Sequence, residues 1–361
     1  MGRPVTVARS AEPVDWALAR RVGRLVSGNE PLADSYLTDS LRTDFAAVTE
    51  QAESLVTEYT GLRPSAAARA AVLDRAAWVD ANLESMRTLL APVLDRYGER
   101  MARSRVAPLG RRVAATEIGL LLGYVSQRVL GQYDLLLSEA ADTDDAVYYV
   151  GVNVLRLEKR FAFRPRDFRL WIALHELTHR AQFTGVPWLR PYFLSLVHDM
   201  LGTVDLDPRR FFTALRRAVD DLRRGRDPFD DGIVGLVAST EQRRVLDRVQ
   251  ALMALLEGHG NSVMNALGAH HVEGQARMAR VLDSRRRVGG IAGFFHRIMG
   301  IDMKLRQYKL GESFVTEVER DGGRGVLSIA WRGPEWLPTL DELTRPRSWL
   351  DRVEAGTPTP G

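Results

Sequence analysis

The thirteen residues from Trp171 to Phe183, WIALHELTHRAQF, restrict what this chain can fold into more than any other stretch. They contain His175-Glu176-Leu177-Thr178-His179, an H-E-x-x-H pattern. On an α-helix residues four apart share a face, so both imidazoles can converge on one metal ion, zinc by preference. Glu176 then sits beside the open coordination position, where it can take a proton from a bound water. Leu170, Trp171, Leu174, Thr178 and Ala181 continue a mostly apolar stripe, so the helix is expected to be buried. Buried histidines and a buried glutamate need partners, because unpaired polar groups are costly away from water.

A third ligand is sought in a second helix. Ser239-Thr240-Glu241-Gln242 has the spacing of a capping box, and the apolar positions Val245, Leu246, Val249, Leu252, Met253, Leu256, Val263, Met264 and Leu267 carry helical periodicity to about Leu267. Glu257 falls inside that stripe, where a carboxylate needs a metal or a cation. An arginine partner is the plain alternative to a metal. Gly258 and Gly260 flank His259 and remove bulk where another helix must come close. Glu257 is the expected third ligand. His259 is either a fourth ligand, a group behind the ligands, or a catalytic group stabilising an oxyanion. The longer pattern that places a third histidine close behind the motif is absent, since Gly185 and Gln182 occupy its last two positions. His198, His270, His271 and His296 read as surface or interface histidines.

The rest of the chain reads as a helical scaffold. Helices are expected over Asp15 to Val26, Leu41 to Tyr59, Ser65 to Tyr97 (kinked or split at Pro92) and Glu117 to Leu130, the last as a core helix. Ala146 to Leu155 (AVYYVGVNVL), preceded by Asp142, Asp144 and Asp145, reads as a strand. A connector, Glu158 to Arg166, leads from it to the motif helix. Such a strand can offer its edge to an extended substrate near Gly151 and Asn153, or simply pack beneath the helix. Further helices are expected at Trp188 to Leu201, Pro208 to Arg224 and Ile301 to Val318, with a charged loop at Arg223 to Asp231. Val272 to Arg287 reads as a solvated helix and loop. Tyr308 or Arg306 could reach the site. Residues 1–353 are expected as a single domain: a helical scaffold to about 140, a metal-site region over 141–320 and a C-terminal segment over 321–353. A disordered tail over 354–361 follows.

Composition narrows the classes of partner. Basic and acidic residues number 50 and 46 and are interleaved, so the net charge of +4 does not mark a phosphate-binding surface, and nucleic acid is not an expected partner. No cysteine is present, which removes disulfides, thiolate metal ligands and cysteine nucleophiles. No apolar run is long enough to span a membrane, and a cytoplasmic location is expected.

Three stretches, LWIALHELTHRAQFTGVPWLRPY, LLEGHGNSVMN and DMKLRQYKLGESFV, together resemble the zincin-like metallopeptidase type 2 family, as do the N-terminal VDWALARRVG and the C-terminal WRGPEWLPTLDELTRPRSWLDRV. These are actinobacterial proteins often associated with deazaflavin-coenzyme biosynthesis. The resemblance implies a mainly α, zincin-like fold with a small β element and the motif on a buried helix. It implies His175 and His179 as zinc ligands, Glu176 as catalytic acid/base and a glutamate ligand at Glu257. The expected function is zinc-dependent hydrolysis of a peptide or small amide. Two rivals stay open: a non-catalytic scaffold holding a structural zinc, and an amidohydrolase in coenzyme metabolism.

Overall fold

The computed structural model describes residues 14–33, 35–102, 107–134, 146–202, 240–286, 306–323 and 325–359; for 92–102, 107, 108, 202, 240, 282–286 and 306–309 only the backbone. The expected helix at Pro208 to Arg224, the loop at Arg223 to Asp231, the cap at Ser239, His296, and the side chains of Arg306 and Tyr308 lie outside these residues.

Helices dominate the chain, as the periodicity suggests. Helix α1 (Trp16–Ser27) begins where the Asp15 carboxylate accepts a hydrogen bond from the Leu18 backbone N–H. Helix α2 (Leu41–Thr60) ends at Gly61, which takes the left-handed conformation that closes a helix. After it comes a departure from expectation. Ser65 to Tyr97 is not one helical segment: residues Arg69–Leu73 form strand β1, and helix α3 (Arg75–Ala102) starts beyond it and continues through Pro92. Helix α4 (Ala107–Ser126) is followed by a three-residue strand, β2 (Gly131–Tyr133). Ala115, Leu122 and Val125 of α4 are buried, but Leu109, Val113 and Leu120 face outward, so α4 is a half-buried helix rather than a core one.

Strand β3 (Ala146–Val150) lies between the other two, parallel to β1 and antiparallel to β2. Its Val-Tyr-Tyr-Val run is buried on both faces, as a central strand must be. The strand stops at Val150 and does not reach Leu155. Gly151 opens helix α5 (Gly151–Phe161), which takes in the start of the expected connector, Glu158 to Phe161. A short apolar run fits a buried helix as well as a strand, and packing decides here. A Cβ on Gly151 would lie 2.7 Å from a Leu41 methyl carbon, and the buried Asn153 amide donates to the carbonyls of Ser126 and Val129. Because β3 is central, it offers no edge to a substrate, and Gly151 and Asn153 are structural residues.

Helix α6 (Pro165–Gly185) carries the H-E-x-x-H motif. Proline at its first position suits a site with no N–H to satisfy, and Gly185-Val186 ends it. It packs against α2 on one side and α8 (Thr240–His271) on the other, with α7 (Leu189–Gly202) beyond its end. Two buried ion pairs fix it. Arg169 reaches Glu158 with two hydrogen bonds and also contacts Asp44, tying α6 to α5 and α2. Arg180, fully buried, donates to Glu53, which in turn accepts from the Ala68 N–H just before β1. Breaking a buried pair by removing one partner costs about 3–5 kcal/mol, so these arginines hold the motif helix in one register.

Helix α9 (Gln275–Arg286) follows, then α10 (Arg306–Gly322), which crosses α8 with almost no separation. A Cβ on Gly258 would stand 2.2 Å from the Gly311 carbonyl carbon, backbone against backbone. The glycine expected to admit a neighbouring helix therefore does so. Two short helices, α11 (Leu340–Thr344) and α12 (Pro346–Glu354), close the chain, α11 with a reciprocal Thr339/Glu342 capping box. Beyond α12, within the expected tail, Thr359 bonds back to the carbonyls of Glu335 and Leu337. Among the described residues no helix is long and apolar enough to cross a membrane.

Candidate metal centre

The crossing of α6 and α8 brings the expected ligands together. His175 and His179, one turn apart on α6, place their Nε2 atoms 3.2 Å from each other. Glu257 on α8 puts its Oε2 3.8 Å from the His175 Nε2 and its Oε1 3.8 Å from the His179 Nε2. One donor atom from each residue falls within 4.8 Å of the other two, close enough for a single ion to touch all three. The donor set, two imidazole nitrogens and a carboxylate oxygen, is one that zinc favours in open sites. Among the described residues the carboxylate faces the two histidines and no arginine.

The glycine after His259 makes this approach possible. A Cβ on Gly260 would lie 3.2 Å from the His179 Cε1, tighter than ordinary contact, and 3.5 Å from the His175 ring, in van der Waals contact. Gly258 and Gly260 thus serve opposite sides of α8: one admits α10, the other admits the motif.

Glu176 is buried beside the pair, against strand β2. A Cβ on Gly131 would lie 2.7 Å from the Glu176 Cγ and 2.9 Å from its carboxylate oxygen. The backbone of Gly131 therefore forms one wall of the carboxylate's seat. Among the described residues, Gly131 belongs to an outer strand of the sheet. The Val150 N–H donates to the Leu130 carbonyl, so Leu130/Val150 and Gln132/Tyr148 are the bonded pairs of this antiparallel ladder. The backbone groups of Gly131, between them, point away from β3. Among the described residues β2, not β3, is an outer strand on this side of the sheet.

His259 is not among the three converging groups. It is buried, its Nδ1 lies 2.8 Å from the Gln182 amide nitrogen, and its ring stands 5.3 Å from the Trp331 ring. Burial, together with the nearby His179, pushes its pKa down from the usual 6.5 to about 3, so it is neutral at physiological pH. Tyr149, fully buried in the central strand and bonded to the Thr49 hydroxyl, has its pKa pushed up, chiefly by burial, and stays a neutral phenol.

The model of the zincin-like metallopeptidase family matches residues 14–350. The chain belongs to that family. A solved structure, that of a proposed hydrolase with a novel fold from Chloroflexus aurantiacus, is 32% identical to this chain. It superposes with a TM-score of 0.72, over 94% of this chain and 99% of the other. No curated protein sequence matches. A zincin-like family implies a bound metal ion, and the residues that converge here fit one.

Two residues of the centre were not singled out from the sequence. Gln182 stands three after His179 on the same helix face, and that H-x-x-Q spacing was the available signal. Gly131 carried no local signal, since its role depends on a strand of three residues. Gly131→Ala is expected to displace Glu176 while leaving the three converging groups untouched. Turnover of a cleaved substrate should fall about 10²-fold, the scale for an ångström of misplacement at a reacting centre. Steady-state kinetics together with zinc content would check it, with zinc content expected unchanged.

Proposed function

We propose that this chain is a zinc-dependent hydrolase that cleaves a peptide or small amide, with His175, His179 and Glu257 as metal ligands and Glu176 as general base. The observation that carries this reading is the convergence of the three donor atoms beside a buried glutamate. Zinc, when bound, would lower the pKa of a coordinated water towards ~7 and polarise the substrate carbonyl.

The chain's own residues supply the rest. Glu176 is placed to take the proton of the attacking water and to return it to the leaving nitrogen, one carboxylate serving as base and then acid. Its seat against Gly131 limits where the carboxylate can point. Gly131, on the outer strand and beside Glu176, gives an extended substrate a backbone to pair with at the reacting position. Neutral, buried His259 stands behind the ligands, where a charge-bearing role would first require protonation against its surroundings. A structural zinc normally has four protein ligands, and among the described residues three converge. That favours a hydrolase over a scaffold.

The test is the metal content of the purified protein by elemental mass spectrometry, followed by incubation with a peptide library and simple amides. About one zinc per chain and a chelator-sensitive cleavage are expected. A protein that holds no metal after zinc is supplied would overturn the reading. Which members of the mixture are cut separates a peptidase from an amidohydrolase of small molecules.

A further inference from the structure

Gln182 joins the two buried histidines of the site. It is itself fully buried on α6. Its side-chain nitrogen lies 3.1 Å from the Leu256 carbonyl oxygen and 2.8 Å from the His259 Nδ1, and its side-chain oxygen lies 3.0 Å from the His179 Nδ1. An amide's two ends are ordinarily hard to tell apart, but here chemistry distinguishes them. A backbone carbonyl can only accept, so the NH₂ end must face Leu256. The oxygen then faces His179, and an oxygen there can only accept, so the His179 Nδ1 must carry the proton. The second amide hydrogen goes to the His259 Nδ1, which must be bare.

We infer that Gln182 is a positioning residue that sets the tautomers of His179 and His259 together, keeping the His179 Nε2 lone pair open towards Glu257 and His175 and the His259 proton on Nε2. This rests on the reading of His179 as a metal ligand. A neutral imidazole has one proton for two nitrogens, and only the form with a bare Nε2 can bind a metal through that atom. The 3.2 Å between the two Nε2 atoms shows what is at stake: a proton on either would bridge the histidines and close the site to an ion. The same amide explains why His259 remains apart from the ligand set. Its Nδ1 is occupied as an acceptor, and its ring is held by a bond that a protonated Nδ1 would lose.

The experiment uses the full-length protein, its Gln182→Leu and Gln182→Glu variants, and zinc as the probe. Long-range ¹H–¹⁵N correlation spectra of the zinc-free protein report which imidazole nitrogen is protonated. Chelator competition reports zinc affinity. In the wild type, His179 should be protonated at Nδ1 and His259 at Nε2. Gln182→Leu should release the His179 preference and weaken zinc about 10–100-fold, the usual effect of losing a ligand's hydrogen-bond partner. Gln182→Glu retains an acceptor for His179 and should keep both its tautomer and most of the affinity. A merely space-filling Gln182 would leave the leucine variant's tautomers and affinity as they were, and that result overturns the inference. If the leucine variant does not fold, a wild-type His179 protonated at Nε2 overturns it equally. Should the wild type bind no zinc, the metal reading fails by itself, and the zinc-free spectra still decide the tautomers.

Discussion

Glu176→Gln is expected to retain about one zinc per chain and to hydrolyse a cleaved substrate at least about 10²-fold more slowly than the wild type, and as much as 10⁴-fold. The substitution keeps size and shape in a tight, buried seat, where the carboxylate presses on the Gly131 backbone. It removes the negative charge and, with it, the ability to accept a proton. Glu176 lies outside the converging ligand set, so metal affinity should not change. The loss should fall on kcat, with KM little altered, because proton transfer matters in the transition state and not in substrate binding. Rates with a purified substrate, measured beside elemental analysis of the same samples, give both readouts. A variant that cleaves at the wild-type rate would remove Glu176 from its assigned role. A variant that loses zinc would show instead that Glu176 supports the metal.

How far the site could be read in advance follows from which signals are local. His175, Glu176 and His179 lie within five residues of one helix, so spacing alone places them on one face. Glu257 lies 78 residues beyond His179, yet it was legible because a carboxylate in an apolar helical stripe calls for a partner. Gly258 and Gly260 were legible for a related reason: two glycines in a helix interior cost stability, and a close approach is what offsets it.

The sheet was harder to read because each of its errors is non-local. Strand β1 is RAAVL, a sequence of good helix formers with one β-branched residue, and it is extended because Arg69 to Leu73 pair with Ala146 to Val150 far along the chain. Strand β2 is too short for any periodicity, and it takes its direction from β3. The VGVNVL run crosses from strand to helix at Gly151, where nothing in the pattern of apolar residues changes. These errors bear on the proposed function, since Gly151 and Asn153 lie on no sheet edge, while Gly131 lies on an outer strand among the described residues.

Glu257→Ala is expected to leave the protein folded and to remove most of its zinc. The two motif histidines alone give only two donors, and the described residues bring no other carboxylate or imidazole into their group. The histidine nearest at hand, His259, has its Nδ1 engaged by Gln182 and cannot take the vacated place without giving up that bond. The side chain of Glu257 is only 14% exposed, and its carboxylate answers to the two imidazoles. An alanine there removes a polar group from an apolar stripe, so the zinc-free variant should melt near the zinc-free wild type. The difference appears on adding metal. A ligand present at about 1,000 times its Kd stabilises the folded state by about 4 kcal/mol, so zinc should raise the wild-type melting temperature and leave the variant's unchanged. Melting curves with and without zinc, together with elemental analysis, would check both halves. A variant stabilised by zinc as strongly as the wild type would mean that Glu257 is not a ligand, and that the carboxylate completing the site belongs to another residue.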